Sequence, residues 1–154
     1  MNGKRAGGVA NALQHSLWEI HEMPFYRVDE IVRKFSGPGS DTRPTSVVGE
    51  FMKCGVVTKP DAEGPPLHEH PNEEQFTIIL EGEMHWILGE EDKVVGPGTL
   101  IHIPRNTRHR SRPVNGPATY LTIKSPPGTG NMNQDYHKRD EADEVEALYP
   151  GSAR

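Results

Sequence analysis

The sequence has a single cysteine, few aromatic residues and no long apolar run. Cys54 has no partner for an internal disulfide, which is typical of proteins in a reducing compartment. No run of about 18 apolar residues occurs, so we expect no membrane-spanning helix. The basic N-terminal segment, residues 1–16, has no apolar core and does not fit a secretion signal. These absences predict a cytoplasmic protein.

Acidic residues outnumber basic ones, 22 to 17. The formal net charge is −5 and no basic stripe is present, which argues against a nucleic-acid partner. A chain of 154 residues is long enough for one domain with its own core. We therefore predict a single domain over residues 1–154. It divides into an N-terminal helix and arm (1–44), a barrel core (45–125) and a C-terminal tail (126–154).

Turn-forming residues are abundant, with 16 glycines and 14 prolines. About seven or eight short strands joined by turns predict an all-β sandwich or jelly roll. We expect a short helix in Val9–Glu22, an arm or strand in Phe25–Phe35, and a second short helix packed outside the barrel in Asp140–Leu148. The main predicted strands are Ser46–Thr58, Leu67–His70, Gln75–Glu81, Met84–Leu88, Thr99–Ile103 and Ala118–Lys124, with Gly82 near the corner of a hairpin.

Glu50 interrupts an apolar face of the predicted strand Ser46–Thr58. Strict alternation places it on the same face as Val48, Met52 and Val56. A carboxylate on such a face is costly unless it is paired. Glu50 is therefore either an acid of a binding pocket or a residue turned outward by a bulge at Gly49, and the sequence leaves both open.

Two histidines lie where they can converge on one point. His68 and His70 are two residues apart, and side chains at that spacing leave the same face of a strand. Pro71 then ends the strand because it has no backbone N–H. Gln75 follows in a new strand, and His109 lies further along. Imidazoles combined with an amide or carboxylate oxygen are typical ligands of a divalent transition metal.

These residues belong to a two-part pattern. The first part is H-x-H-x4-Q-x6-G, from His68 to Gly82, and the second is G-x5-P-x-N-x2-H, from Gly98 to His109. The pattern resembles the cupin superfamily, whose motifs are G-x5-H-x-H-x(3,4)-E-x6-G and G-x5-P-x-G-x2-H-x3-N. The resemblance implies a double-stranded β-helix barrel with one divalent metal (Fe, Mn, Ni, Zn or Cu) inside one end. The implied ligands are His68, His70, Gln75 and His109.

The sequence departs from the family motifs at four positions. Ala62 stands where the leading glycine would fall, Gln75 replaces the glutamate, Asn106 replaces a glycine, and Pro113 replaces the final asparagine. Asn tolerates a left-handed backbone well, so Asn106 is a mild change. Four neutral ligands would leave a metal its full charge of +2, which favours small anionic or chelating organic substrates.

The resemblance leaves the reaction open. Oxidation of the dioxygenase type is favoured, and isomerase, cyclase or lyase chemistry fits the same residues. The alternative is a metal-dependent module that binds or senses a small molecule without turnover. Family members commonly pair through sheet edges, so a homodimer is expected, with Phe25–Phe35 as the candidate exchanged or edge-capping strand.

The remaining charged and histidine residues are assigned by strand alternation. Met84, Trp86 and Leu88 alternate along one strand and are predicted to face the core. His85 lies on the other face and is predicted to be a surface or interface residue, not a ligand. His102 adjoins the second motif and is a candidate for the pocket wall. Arg110 and Arg112 have the opposite parity to His109 and are expected to face solvent or a partner subunit.

The glutamate pair before Gln75 offers a second choice of metal ligand. Glu73 and Glu74 are expected to be exposed. If the register were shifted by one residue, Glu74 would replace Gln75 as the ligand.

Overall fold

The computed structural model describes residues 25–34 and 46–149, and the helix predicted in Val9–Glu22 lies outside this part of the chain. The described residues are mostly β-structure, which confirms the all-β prediction. The strands are β1 (Val32–Lys34), β2 (Ser46–Val48), β3 (Lys53–Lys59), β4 (His68–Glu69), β5 (Glu74–Leu88), β6 (Glu91–Val95), β7 (Leu100–Ile103), β8 (His109–Ser125) and β9 (His137–Lys138). The helices are α1 (Val28–Ile31) and α2 (Ala142–Ala147), the second of which was expected from the sequence.

The longest strand, β8, organises the sheet. Its second half lies between β3 and β5, with Tyr120 opposite both Val57 and Ile79. Its first half lies between β5 and β4, where His109 is the register partner of both Leu88 and His68. All of these pairings are antiparallel, and together they curl one sheet into a jelly-roll barrel.

The predicted hairpin at Gly82 is wrong, because β5 runs through this position as one strand of 15 residues. Both halves of β5 pair with β8, and the register shifts between Ile79 and Glu81 and again between Glu81 and Glu83. Gly82 has φ +75°, and a Cβ at this position would lie 2.3 Å from the carbonyl oxygen of Pro117. Glycine is therefore needed here for a bend that lets one strand serve both ends of the barrel.

The predicted strand Ser46–Thr58 is also wrong, because it is a hairpin formed by β2 and β3. The backbone N–H of Gly49 donates to the carbonyl oxygen of Met52 (2.8 Å) and closes the turn. Glu50 lies in this turn and is exposed. Val56 is fully buried, yet its neighbours Gly55 and Val57 are the residues that line the internal cavity. The cavity is therefore lined by the face of β3 opposite to Val56.

The arm predicted in Phe25–Phe35 is a helical turn, α1, followed by the short strand β1. β1 pairs with β3 in parallel, with Val32 opposite Val56. β2 pairs with the neighbouring part of β3. The N-terminal segment thus covers the edge of β3 in its own chain. An uncovered strand edge could otherwise pair with strands of other chains.

The barrel interior carries the main core. It contains Met84 and Trp86 of β5, as the alternation predicted, and Leu88 packs against it. The other members come from β5, β7 and β8: Ile79, Ile101, Ile103, Ala118 and Tyr120. A smaller core lies outside the barrel, where Leu67 and Ile87 pack against Ala142 of α2.

The second core changes the expected position of two arginines. Arg110 and Arg112 do face away from His109, but they are 1% and 3% exposed instead of solvent-facing. Glu146, in α2, accepts a hydrogen bond from each guanidinium (2.6 Å from Arg110 Nε and 3.1 Å from Arg112 Nη2). The C-terminal helix therefore covers this face of β8, and its carboxylate compensates the buried charge.

Within residues 25–34 and 46–149, neither helix has the length and apolar character needed to cross a bilayer.

Candidate metal centre

Three imidazoles meet at one end of the barrel. His68 comes from β4, His109 opens β8 opposite it, and His70 follows β4 by one residue. The ring centroids are 4.2 Å apart for His68 and His109, 4.9 Å for His70 and His109, and 5.1 Å for His68 and His70. One ligand atom from each of the three residues can lie within 4.8 Å of the others. The backbone register of β4 and β8 thus brings together histidines that are about forty residues apart in sequence.

Each of these imidazoles is oriented by the backbone. The Nδ1 atoms of His68, His70 and His109 lie 2.7, 2.8 and 2.9 Å from the carbonyl oxygens of Pro66, Asp135 and Thr107. A carbonyl oxygen only accepts, so Nδ1 carries the proton and Nε2 keeps its lone pair. This is the tautomer and the type of outer hydrogen bond found in metal-ligating histidines.

The imidazoles are also held neutral. Burial, together with the nearby His109, lowers the pKa of His68 from 6.5 to about 2. Burial lowers the pKa of His109 to about 3. The pKa of His70 is lowered by burial and by the charge of Lys124. A metal ligand must be unprotonated, so the three side chains are ready to bind without first losing a proton.

Gln75 faces the same cavity, as the register from the sequence required. Its side chain is buried, and its Nε2 donates to Thr77 Oγ1 (2.9 Å), which in turn lies 3.0 Å from Thr122 Oγ1. The amide nitrogen is thereby engaged, so the amide oxygen is the atom that could bind a metal. Glu74 points to the opposite face, where its carboxylate contacts His102 Nε2 (2.6 Å) with both side chains about half exposed.

The two pocket candidates other than the ligands lie outside the cavity. Glu50 is in the exposed β2–β3 turn and does not line the cavity wall. His102 stacks on Phe76 on the outer face of the barrel, with centroids 4.5 Å apart. His102 lies on the outer face because its register partner Phe76 has the opposite parity to the cavity-facing Gln75. His85 also lies outside the cavity, between Asp92, Arg110 and Tyr149.

Glu73, which was expected to be exposed, is 1% exposed. Its Oε1 accepts from Lys53 Nζ (2.6 Å) and Gln134 Nε2 (2.7 Å), and its Oε2 lies 3.4 Å from Lys124 Nζ. The predicted exposure of Glu73 is wrong because its carboxylate compensates the charges of two buried lysines, Lys53 and Lys124. A second set of potential ligand atoms, from His70, Glu73 and Asp135, is therefore less suited to a metal. In this second set, the Glu73 carboxylate already pairs with Lys53 and Lys124. The Asp135 carboxylate already accepts hydrogen bonds from the backbone N–H groups of Asn72 and Glu73.

The cavity extends from the imidazoles into the barrel and has a volume of about 590 Å³. Its wall includes two lysines that were not among the predicted site residues, Lys59 and Lys124. Lys124 Nζ lies 3.3 Å from His70 Nε2 and donates to the carbonyl oxygen of Met132 (2.7 Å). Burial lowers the pKa of Lys124, while the charge of Glu73 opposes this shift. Lys124 could have been found from its spacing, because it lies two residues after the cavity-facing Thr122.

The C-terminal tail completes the site, which the sequence did not predict. Met132, Asn133 and Tyr136 line the cavity, and the ring of Tyr136 lies 4.7 Å from that of His68. Asp135 orients His70 through its carbonyl oxygen. No short-range pattern in this loop marks these contacts, because they depend on where the tail crosses the barrel end.

The fold and the site together define a jelly-roll barrel with a three-histidine centre at one end. The cupin domain family model matches residues 56–124. An uncharacterised conserved protein with a double-stranded β-helix domain from Klebsiella pneumoniae is 18% identical. The alignment covers 68% of this chain and 86% of that one, with a TM-score of 0.58. A protein from Bacillus halodurans is 21% identical over 65% of this chain and 80% of that one, with a TM-score of 0.50.

Similarity at this level of identity concerns the fold alone. No protein of curated function matches the sequence. The family match and the shared barrel agree with the motifs that contain His68, His70 and His109. Residues 56–124 thus match the cupin domain family, within a chain that has the double-stranded β-helix fold.

Proposed function

We propose that the chain binds one divalent transition metal through His68, His70, His109 and Gln75 and acts there on a small anionic organic substrate. The observation that carries the proposal is the convergence of three neutral imidazoles whose Nδ1 atoms are already bound to backbone carbonyls. Nitrogen and oxygen donors of this kind suit Fe, Mn, Ni, Zn or Cu. A bound ion would supply a Lewis acid and, for a redox-active metal, a route to reaction with dioxygen.

The preference for an anionic substrate is supported by the charges around the centre. All four proposed ligands are neutral, so none of them would offset the metal's charge. Lys124 and Lys59 add positive charge to the cavity wall, and Glu73 is shared between Lys124 and Lys53 outside the cavity lining. A carboxylate or enolate oxygen entering this space would be attracted by the lysines and oriented towards the imidazoles.

Among reactions, we favour oxidation of the dioxygenase type, with isomerase, cyclase or lyase chemistry as the alternative. Four protein ligands on a six-coordinate ion would leave two positions for a chelating substrate, or for a substrate and dioxygen. A cavity of about 590 Å³ has room for both. We also propose a cytoplasmic protein, in keeping with its unpaired Cys54.

The metal proposal is tested by measuring metal content after anaerobic purification. We expect the wild type to carry one ion per chain and His109→Ala to lose most of it, because an incomplete ligand shell binds weakly. His85→Ala is the matched control, since His85 lies on a strand paired with β8 but contacts Asp92 and Arg110 outside the cavity. Equal metal loss in both variants, or a wild type that cannot be loaded, would contradict the proposal.

The reaction is tested by oxygen uptake. The metal-loaded protein is screened with chelating carboxylates and phenols, and consumption that depends on His109 is expected. Substrate conversion without oxygen uptake would favour the isomerase, cyclase or lyase alternative. Tight ligand binding with no conversion of any compound would instead favour a binding or sensing module.

We further propose a homodimer. Its support is the outer face of β5 and β7, where Phe76 stacks on His102 and Leu100 is 63% exposed. Exposed apolar residues that share one sheet face are typical of association surfaces. Light scattering at micromolar concentration is expected to give the mass of two chains, and a strict monomer would contradict this.

A further inference from the structure

The indole N–H of Trp86 is a hydrogen-bond donor that no described residue accepts. The side chain lines the cavity and is only 4% exposed. Its Nε1 is buried and has no hydrogen-bond partner among the residues that the structure describes. Leaving a buried N–H unpaired costs free energy, and buried tryptophans usually satisfy this atom. An acceptor atom from a ligand in the cavity would provide the missing partner.

The strand register relates the backbone position of Trp86 to that of the imidazoles. Trp86 is the partner of Ser111 on β8, and Ser111 follows the ligand His109 by two residues on the same face. Two residues of an extended strand span about 7 Å. The backbone positions of Trp86 and His109 are therefore offset along the strands by about the length of a chain of three to five carbon atoms.

The Trp86 end also carries positive charge. Lys59 lines the cavity and is 7% exposed, and its Nζ lies 5.5 Å from the ring centroid of Tyr120. Tyr120 belongs to the same core cluster as Trp86. Lys59 Nζ also lies near Gly64 and Ser111. A Cβ placed on Gly64 would be 3.3 Å from Lys59 Nζ and 2.4 Å from the carbonyl oxygen of Ser111. The indole N–H of Trp86 lacks an acceptor among the described residues, and Lys59 supplies a buried positive charge. Both groups suit an anionic oxygen, such as a carboxylate.

We propose that the cavity binds a ligand with two ends: an oxygen-chelating head at His68, His70 and His109, and a second carboxylate at Trp86 and Lys59. The ligand class is a hydroxy- or oxo-dicarboxylate of about four to six carbons, given the spacing along β8. This inference rests on the proposed metal centre and adds the group that fixes the far end of the substrate. Trp86 and Lys59 are then specificity-determining residues.

Two probes that differ only at the far end test this. 2-Hydroxyglutarate and 2-hydroxypentanoate share the chelating head, but the second has a methyl group in place of the distal carboxylate. Calorimetric titration of the zinc-loaded full chain is expected to show at least about tenfold tighter binding of 2-hydroxyglutarate, as a charged hydrogen bond provides. Trp86→Phe keeps an aromatic ring and removes the donor, so it should lose most of that preference while binding 2-hydroxypentanoate as before.

The second variant tests the charge. Lys59→Met should also reduce binding of 2-hydroxyglutarate selectively, and Lys93→Met, an exposed lysine on β6, is its matched control. Circular dichroism confirms that each variant keeps the barrel. Equal binding of the two probes by wild type, or a preference unchanged in Trp86→Phe, would overturn this inference and leave the metal proposal standing. Failure of the zinc-loaded protein to bind either probe would overturn both this inference and the proposed anionic substrate.

Discussion

The buried pair of Lys53 and Glu73 allows a quantitative test of the structure. Lys53 is 0% and Glu73 is 1% exposed, and the two charged groups are 2.6 Å apart. Lys124 lies 3.4 Å from the same carboxylate, so two lysines share one negative charge. Removing one partner of a buried pair costs about 3–5 kcal/mol, because the other charge is left without compensation.

The two ends of this pair should respond unequally. Lys53→Met leaves Glu73 with Lys124, so the remaining cluster is electrically balanced, and we expect a loss of about 3 kcal/mol. Glu73→Gln leaves two buried lysines without a carboxylate, and we expect about 5 kcal/mol. The order of the two losses follows from the charge count alone and does not depend on the absolute values.

Urea unfolding of the metal-free protein at pH 7 measures both losses. With a slope of about 1–3 kcal/mol per molar urea, a loss of 3 kcal/mol moves the midpoint by about 1–3 M. Lys138→Met is the matched control, because Lys138 and Asp143 form a pair of similar length (2.7 Å) that is largely exposed. We expect no measurable shift there. A shift in Lys53→Met as small as in the control, or larger than in Glu73→Gln, would refute the reasoning.

Three further predictions concern the centre and the turn before it. The pKa values of His68 (about 2) and His109 (about 3) in the folded protein lie below the ordinary 6.5. As pH falls through 6.5, these two imidazoles therefore gain protons in the unfolded chain but not in the folded one. The metal-free protein should lose about 2 kcal/mol per imidazole between pH 7 and 5 in urea titrations, and unchanged midpoints would contradict this. Ala62 has φ +61°, so Ala62→Gly should raise stability by about 0.5–1 kcal/mol, with a lower melting temperature as the opposing result. Gln75→Glu should keep metal and weaken anionic ligands, whereas Glu74→Gln should change neither; metal loss in Glu74→Gln alone would show a shifted register.

Much of the barrel and the centre followed from local patterns. The two-residue spacing of His68 and His70 places both on one strand face wherever that strand lies. Alternation likewise predicted that Met84 and Trp86 face the core, as they do. Asn106 takes φ +60°, the left-handed conformation expected of the residue that replaces the motif glycine. These features depend on neighbouring residues only, so the sequence by itself determined them.

Other features depend on which segments meet in three dimensions. Glycine is a common turn residue, so Gly82 predicted a turn. The segments on either side of it both pair with β8, and the chain bends there instead of turning back. Arg110 and Arg112 alternate outward as predicted, yet α2 returns to cover them with Glu146. Glu73 is buried only because Lys53 and Lys124, from β3 and β8, arrive beside it. Burial of a charge is decided by distant partners that compensate it, so only the tertiary structure decided these positions.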